Sequence, residues 1–173
     1  TSKAEAVFQE VLASLLRITG PENSTVLEVK KNLASIAFKN GIWPLAVQRY
    51  DDILLAFKKV YGTNISSTWE VMENLAFACN ETKKHDRCLS LARELLEYLP
   101  DPSTTVESRR YFRVMYLAYQ NCLLKNQRED AEQLLSKAMK VIPRDEPRHA
   151  DVVKMIAAHQ KKTAELAINK PSG

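Results

Sequence analysis

The sequence predicts an all-α fold, an α-solenoid of about eight helices arranged as antiparallel pairs. Three observations predict it. Gly20-Pro-Glu-Asn-Ser-Thr-Val and Gly62-Thr-Asn-Ile-Ser-Ser-Thr stand 42 residues apart, and Val29-x-x-Asn32-Leu33-Ala34 recurs at that same offset as Val71-x-x-Asn74-Leu75-Ala76. Apolar residues inside each unit follow i, i+3, i+4 spacing, which marks amphipathic helices. The chain's four glycines and seven prolines fall almost entirely between these apolar-periodic segments, where short helix connections need them.

Taken in order, the pattern gives helices over 3–18, 25–39, 43–60, 67–81, 85–99, 104–125, 128–141 and 146–168. Ala4 and Phe8 stand one period before Ala46 and Tyr50, so the first helix reads as the second half of a unit. Leu33, Ala34, Ala37 and Phe38 form the apolar face of the next helix. Leu45, Ala46, Tyr50, Ile53 and Leu54 form that of its partner. Asn40-Gly41 separates the two, since glycine accepts the left-handed conformation that ends a helix. Pro44 follows in the first turn, where its missing N–H costs nothing. Ser24-Thr25, Ser66-Ser67 and Ser103-Thr104 stand where hydroxyls can cap a helix.

One period after Ala46 and Tyr50 come Cys88 and Ala92, and a third unit follows with one residue inserted, through Ala131, Leu135 and Ala138 to Pro143. Small residues at Ala34, Ala46, Ala76 and Cys88 are expected to let helices approach closely. The expected organisation is one domain over 1–173. Residues 1–20 supply the second helix of a preceding repeat, and 24–61, 66–100 and 104–143 are repeats. The helix over 146–168 is a cap whose polar side is Lys154, His159, Lys161, Lys162 and Glu165. A pattern that opens in mid-unit is what a piece of a longer protein would show.

Composition narrows the function classes. Apolar residues make up 45% and charged residues 27% of 173 residues, as in globular domains. A net charge of +4, spread as isolated doublets such as Lys30-Lys31 and Arg109-Arg110, does not point to a nucleic-acid surface. No apolar run approaches the ~20 residues of a membrane helix, and a cytoplasmic location is expected. Cys79, Cys88 and Cys122 have no metal-ligand spacing and read as core thiols. Asn23, Asn64 and Asn80 open Asn-x-Ser/Thr triplets, which matter only in a secreted protein.

The small-and-large signature Leu33-Ala34, Ala37, Gly41, Ala46, Tyr50 and Ile53 resembles the tetratricopeptide repeat (TPR). The longer period, the Asn-Leu-Ala triplet and the glycine-opened loop are similar to the kinesin light chain type of that repeat. The chain departs from it at Lys83 and Asn126, which replace the glycine, and at Cys88, which replaces an alanine. The resemblance implies a TPR-like superhelix whose first helices line a concave groove for a peptide or partner protein. Transferred position by position, the groove comprises Lys31, Asn32, Ser35, Phe38 and Lys39 from the first unit. Glu70, Glu73, Asn74, Phe77 and Asn80 follow from the second, and Arg113, Tyr116, Gln120 and Leu124 from the third. Asn32 and Asn74 are the expected main-chain clamps, since an amide offers both donor and acceptor. A clamp for a terminal carboxylate would need an asparagine at Ser35 and a cation at Leu117, and both are missing.

Trp43 and Trp69 each open a helix and are expected to pack between units. Tyr111, Phe112, Tyr116 and Tyr119 crowd one helix, and the four rings cannot all face inward. No catalytic or metal constellation stands out. His85, His149 and His159 are expected at the surface or at helix ends. Asp51-Asp52 and Asp145-Glu146 are expected on solvated faces. The resulting expectation is a scaffold for a protein or peptide partner, with no enzyme activity, cofactor or metal. The alternative is a structural assembly or self-association module.

Overall fold

The computed structural model describes residues 3–168. They form eight helices and no strand: α1 Lys3–Thr19, α2 Ser24–Lys39, α3 Trp43–Tyr61, α4 Ser66–Glu81, α5 His85–Tyr98, α6 Thr105–Leu124, α7 Arg128–Val141 and α8 Pro147–Ile168. Every end lies within one residue of the sequence-based expectation. The chain divides into two compact units at Tyr98 and Leu99.

In the first unit α1 to α5 pack in chain order, each against the next, and α2 also touches α4. Short connections between long helices make neighbours antiparallel. The core runs through Leu33, Ala34 and Ala37, then Ala46, Tyr50, Ile53 and Phe57, then Val71, Leu75 and Ala76, and on to Cys88, Leu91 and Leu95. Each large aliphatic or aromatic side chain fully buried here contributes about 1.5–3 kcal/mol. Ala34, Ala46, Ala76 and Cys88 are all buried, as close helix approach requires. Ala4 is exposed and Phe8 half-buried, because among the described residues α1 packs on α2 alone. What docks α1 is polar. Arg49 donates to the Leu33 carbonyl at 2.8 Å and to the Glu5 carboxylate at 2.7 Å, so one guanidinium ties α1, α2 and α3.

In the second unit α7 packs on both α6 and α8, and α6 also touches α8. Its core comprises Tyr111, Val114, Met115, Ala118 and Cys122 with Ala131, Leu135, Ala138, Ile142 and Val152. All three cysteines are buried and outside any disulfide, as expected of core thiols. Burial raises the Cys79 thiol and pushes Cys88 up to about 12.

The three inner corners share one geometry. After α2 the Gly41 N–H donates to the Phe38 carbonyl and the Ile42 N–H to the Ala37 carbonyl. Lys83 and Lys84 repeat this on Asn80 and Cys79, and Asn126 and Gln127 repeat it on Leu123 and Cys122. This is a Schellman motif, which requires a left-handed residue. Gly41 takes it at φ 68°, and Lys83 and Asn126 adopt it without being glycine, at φ 59° and 58°.

Helix starts are less regular than the serine pairs imply. The cap of α2 is Asn23, whose side chain accepts from the Thr25 N–H at 2.9 Å, and not Ser24 or Thr25. The cap position of α4 is Ile65, with no side-chain bond; Ser66 and Ser67 already lie inside the helix. Thr68 stabilises that entry instead by donating to the Gly62 carbonyl at 2.8 Å. Only Thr104 behaves as expected, forming a reciprocal capping box with Glu107 at the start of α6. Hydrogen bonds from Ser103, backbone first, hold the Glu107 carboxyl below its ordinary range.

Candidate functional site

In the first unit the groove positions fall on α2 and α4. Helical spacing places Asn32, Ser35 and Lys39 on one side of α2, and Asn74 and Phe77 on one side of α4. Two of these, Ser35 and Asn74, converge on Tyr50 of α3, which is fully buried. Asn74 donates its amide to the Tyr50 hydroxyl at 3.1 Å, and Ser35 shares that oxygen at 3.0 Å. Burial is the main reason the Tyr50 hydroxyl stays protonated above its ordinary pKa. One Asn74 donor is therefore committed to structure, and no described residue bonds its carbonyl oxygen.

Lys31 is not a free cation. It pairs with Glu28 at 2.9 Å and with Glu70 at 3.6 Å, and lies 5.9 Å from the Phe57 ring centroid. Burial alone would depress its ammonium, but the Glu28 hydrogen bond and the Glu28 and Glu70 charges outweigh that and raise the pKa. Glu73 is buried, and Asn80 is half-buried beside Glu81. Asn32 is half-buried, and Lys39 reaches solvent.

An aromatic face lies next to these amides. Phe38 meets Trp43 edge-on at 5.3 Å and Phe77 at 5.5 Å, and Trp43 lies 5.7 Å from Phe77. Phe77 remains 38% exposed. Trp43 thus bridges two repeats, as expected, and also completes a surface that sequence reasoning assigned to Phe38 and Phe77 alone. Trp69 is engaged locally, its indole N–H donating to the Thr63 carbonyl at 2.8 Å.

The second unit carries the remaining candidates on α6. Arg113 and Leu124 are exposed, Gln120 is half-buried, and Tyr116 is 39% exposed. Tyr116 stacks on Phe112 at 6.0 Å, and Arg148 of α8 lies 5.4 Å from the Phe112 centroid. Tyr111 and Tyr119 are buried, so the aromatic helix does split between core and surface.

Two expectations about polar residues fail here. His159 is only 8% exposed. Its Nδ1 lies 3.4 Å from the Tyr119 hydroxyl and its ring meets that ring edge-on, so it belongs to the interior and not to a polar cap. Glu146 does not lie on a solvated face. It accepts from the Thr105 hydroxyl at 2.8 Å, and its other carboxylate oxygen is buried. Neither contact leaves a local signal, since each joins residues 40 or 41 positions apart in the chain.

Among the described residues no group of His, Cys, Asp and Glu could hold a metal ion, and no helix is long and apolar enough to cross a membrane.

No protein-family model and no curated protein matches the sequence. Solved structures do. A crystal structure of nearly identical TPR-like repeats of a kinesin light chain type from Podosopora anserina superposes with a TM-score of 0.74 at 16% identity, over 94% of this chain and 79% of that one. A variant of the same protein gives 0.69 at 15% identity, over 94% and 88%. BtubC (BKLC) from P. vanneervenii gives 0.64 at 19% identity, over 80% of this chain and 55% of that one. At such identities the shared property is architecture, and by that measure this chain has a TPR-like helical-repeat fold.

Proposed function

We propose that this chain is a non-catalytic scaffold that binds a peptide segment of a partner protein on the α2/α4 face of its first unit. The observation that carries the reading is the ring cluster Phe38–Trp43–Phe77, left partly open beside the Asn74 carbonyl. Aromatic surfaces that stay solvent-accessible next to unspent amide groups suit a peptide, with apolar side chains on the rings and main-chain N–H on the carbonyl. Asn32, Lys39 and Asn80 would frame it. Lys31, Ser35 and Glu73 would act by holding this face in shape. On α6, Arg113, Tyr116 and Gln120 offer a comparable but separate set. The TPR-like likeness supports protein partners in general, and a cytoplasmic setting without nucleic acid fits the dispersed charge.

The test is affinity purification with the purified chain, comparing it with Phe77→Ala and Asn74→Ala. Phe77 is exposed, so its truncation should leave helicity intact and cut recovery of a specific partner at least about tenfold, the scale of an interface hot spot. A partner recovered equally well by both variants would overturn the reading.

A second reading, self-association, rests on α1, where Val7, Val11, Leu16 and Ile18 are all exposed. Sedimentation decides it: a concentration-dependent dimer abolished by Val7→Glu with Ile18→Glu supports assembly, and a strict monomer opposes it.

A further inference from the structure

The packing of α7 against α8 leaves two adjoining hollows in the second unit. One, of about 250 Å³, is walled by Leu135, Met139 and Ile156 together with Glu132, Ser136 and Gln160. The other, of about 70 Å³, is bounded by Arg128 and Lys162. His159 lines both. Together they reach the lower limit of small-molecule pockets, roughly 300 Å³. The cleft is polarised along its length. Arg128 opens α7 and Met139 stands eleven residues on, about 16 Å at 1.5 Å per residue. One end is therefore cationic, and the other carries the apolar side chains Leu135, Met139 and Ile156 among polar neighbours.

Three features select the ligand. Arg128 and Lys162 are exposed and form no ion pair with a described residue. His159 is more than nine-tenths buried, and the single described partner of its ring, the Tyr119 hydroxyl, uses Nδ1. With Tyr119 as donor, the imidazole proton sits on Nε2, which no described residue accepts. Glu132 adds negative charge beside the apolar hollow, which repels an anion there and favours it at the other end.

We propose that this cleft binds a short aliphatic carboxylate. The anion sits between Arg128, Lys162 and His159 Nε2, and the hydrocarbon lies against Leu135, Met139 and Ile156. Charge-assisted hydrogen bonds fix the head, and exclusion of the chain from water drives the tail. The site is distinct from the α2/α4 face, so the two readings stand or fall separately.

Hexanoate is the probe, followed by NMR on the His159 ring and the Met139 methyl group of the full chain. Saturable shifts at both residues are expected. Acetate should move His159 alone and only at much higher concentration, and 1-hexanol should bind more weakly than hexanoate. Replacing both cations, Arg128→Ala with Lys162→Ala, changes exposed side chains and should weaken hexanoate roughly tenfold, the scale of one charge-assisted contact. Absence of saturable shifts overturns the proposal. So does equal binding of hexanol, or an unchanged hexanoate affinity in the double variant.

Discussion

Asn74 of α4 reaches across to α3 and gives its amide to the Tyr50 hydroxyl at 3.1 Å. That oxygen also meets Ser35 of α2 at 3.0 Å, so three helices are joined at one buried atom. A hydrogen bond is worth about 0.5–1.5 kcal/mol net, and a donor left unsatisfied costs about 1–3. Ser35 and Asn74 are half-buried and can recover water, so the lower range applies. Tyr50→Phe removes two such bonds and should lower stability by about 1–3 kcal/mol in urea titration, with the helical signal retained. A loss below a few tenths would show that the shared hydroxyl does not hold α2 to α4.

The left-handed corners at Lys83 and Asn126 carry a backbone cost that glycine would not. For ordinary side chains that conformation costs roughly 1–2 kcal/mol, partly offset by glycine's larger loss of entropy on folding. Lys83→Gly should stabilise by about 0.5–1 kcal/mol, raising the melting temperature by roughly 1–4 °C. Asn126→Gly should gain less, because asparagine tolerates this region better. A Lys83→Gly melt unchanged or lowered would contradict the strain.

Arg49 provides the polar attachment of α1 through Leu33 and Glu5. Arg49→Ala leaves the buried Glu5 without that cation. Amide hydrogen exchange in α1 should accelerate while α3 and α4 keep their protection. Uniform acceleration would mean that α1 does not open by itself. Ala46→Arg is the harsher control: Ala46 is fully buried, and a guanidinium there has no room and no partner, so soluble folded protein should not be recovered.

Alkaline pH tests the burial of Tyr111, which is pushed up to about 12 from an ordinary 10.0, chiefly by burial. The folded chain holds this proton more tightly than the unfolded one. Stability is thus intact below pH 10 and falls as pH rises from there to about 12. Tyr50, raised in the same direction, adds to that fall. A difference of this size between the folded and unfolded chain is worth about 2–3 kcal/mol when fully expressed. Urea midpoints should decline between about pH 10 and 12, less steeply in Tyr111→Phe. Identical slopes would oppose the assignment.

The thiols give an independent readout of the core. A thiolate is the reactive form, and Cys88 is held protonated up to about 12. A disulfide reagent at neutral pH should label none of the three cysteines faster than local unfolding exposes them, and mild urea should accelerate labelling. Rapid stoichiometric labelling without denaturant would show that the helices part more freely than their packing implies.

The eight helices could be read from the chain because their determinants are local: 3.6-residue periodicity, a fixed offset between Asn32 and Asn74, and turn-forming residues at Gly20, Gly41 and Gly62. The corners were legible even at Lys83 and Asn126, since position in the repeat, and not residue type, marks them. The candidate site was legible only as a face. Lys31 has a local partner in Glu28, three residues back, but its second partner, Glu70, is almost forty residues away, and nothing in the order of residues ranks that contact above solvent. Tyr50 carried one usable clue. It stands where the next unit has Ala92, and a buried hydroxyl demands a partner, which directs attention to Asn74 and Ser35. His159 carried no such clue, because a histidine among lysines on a terminal helix fits a solvated surface equally well.

At each inner corner one residue does duty for two helices. Ile42 closes the motif after α2 and caps α3, and Gln127 does the same between α6 and α7. Lengthening such a corner by even one amino acid would break the end of one rod and the beginning of the next together. The six-residue connection at 99–104 is different: the capping bonds among Ser103, Thr104 and Glu107 all serve α6. Foreign sequence, such as an epitope tag or a fluorescent reporter, therefore belongs ahead of Ser103 in that connection, where the capping box of α6 stays whole.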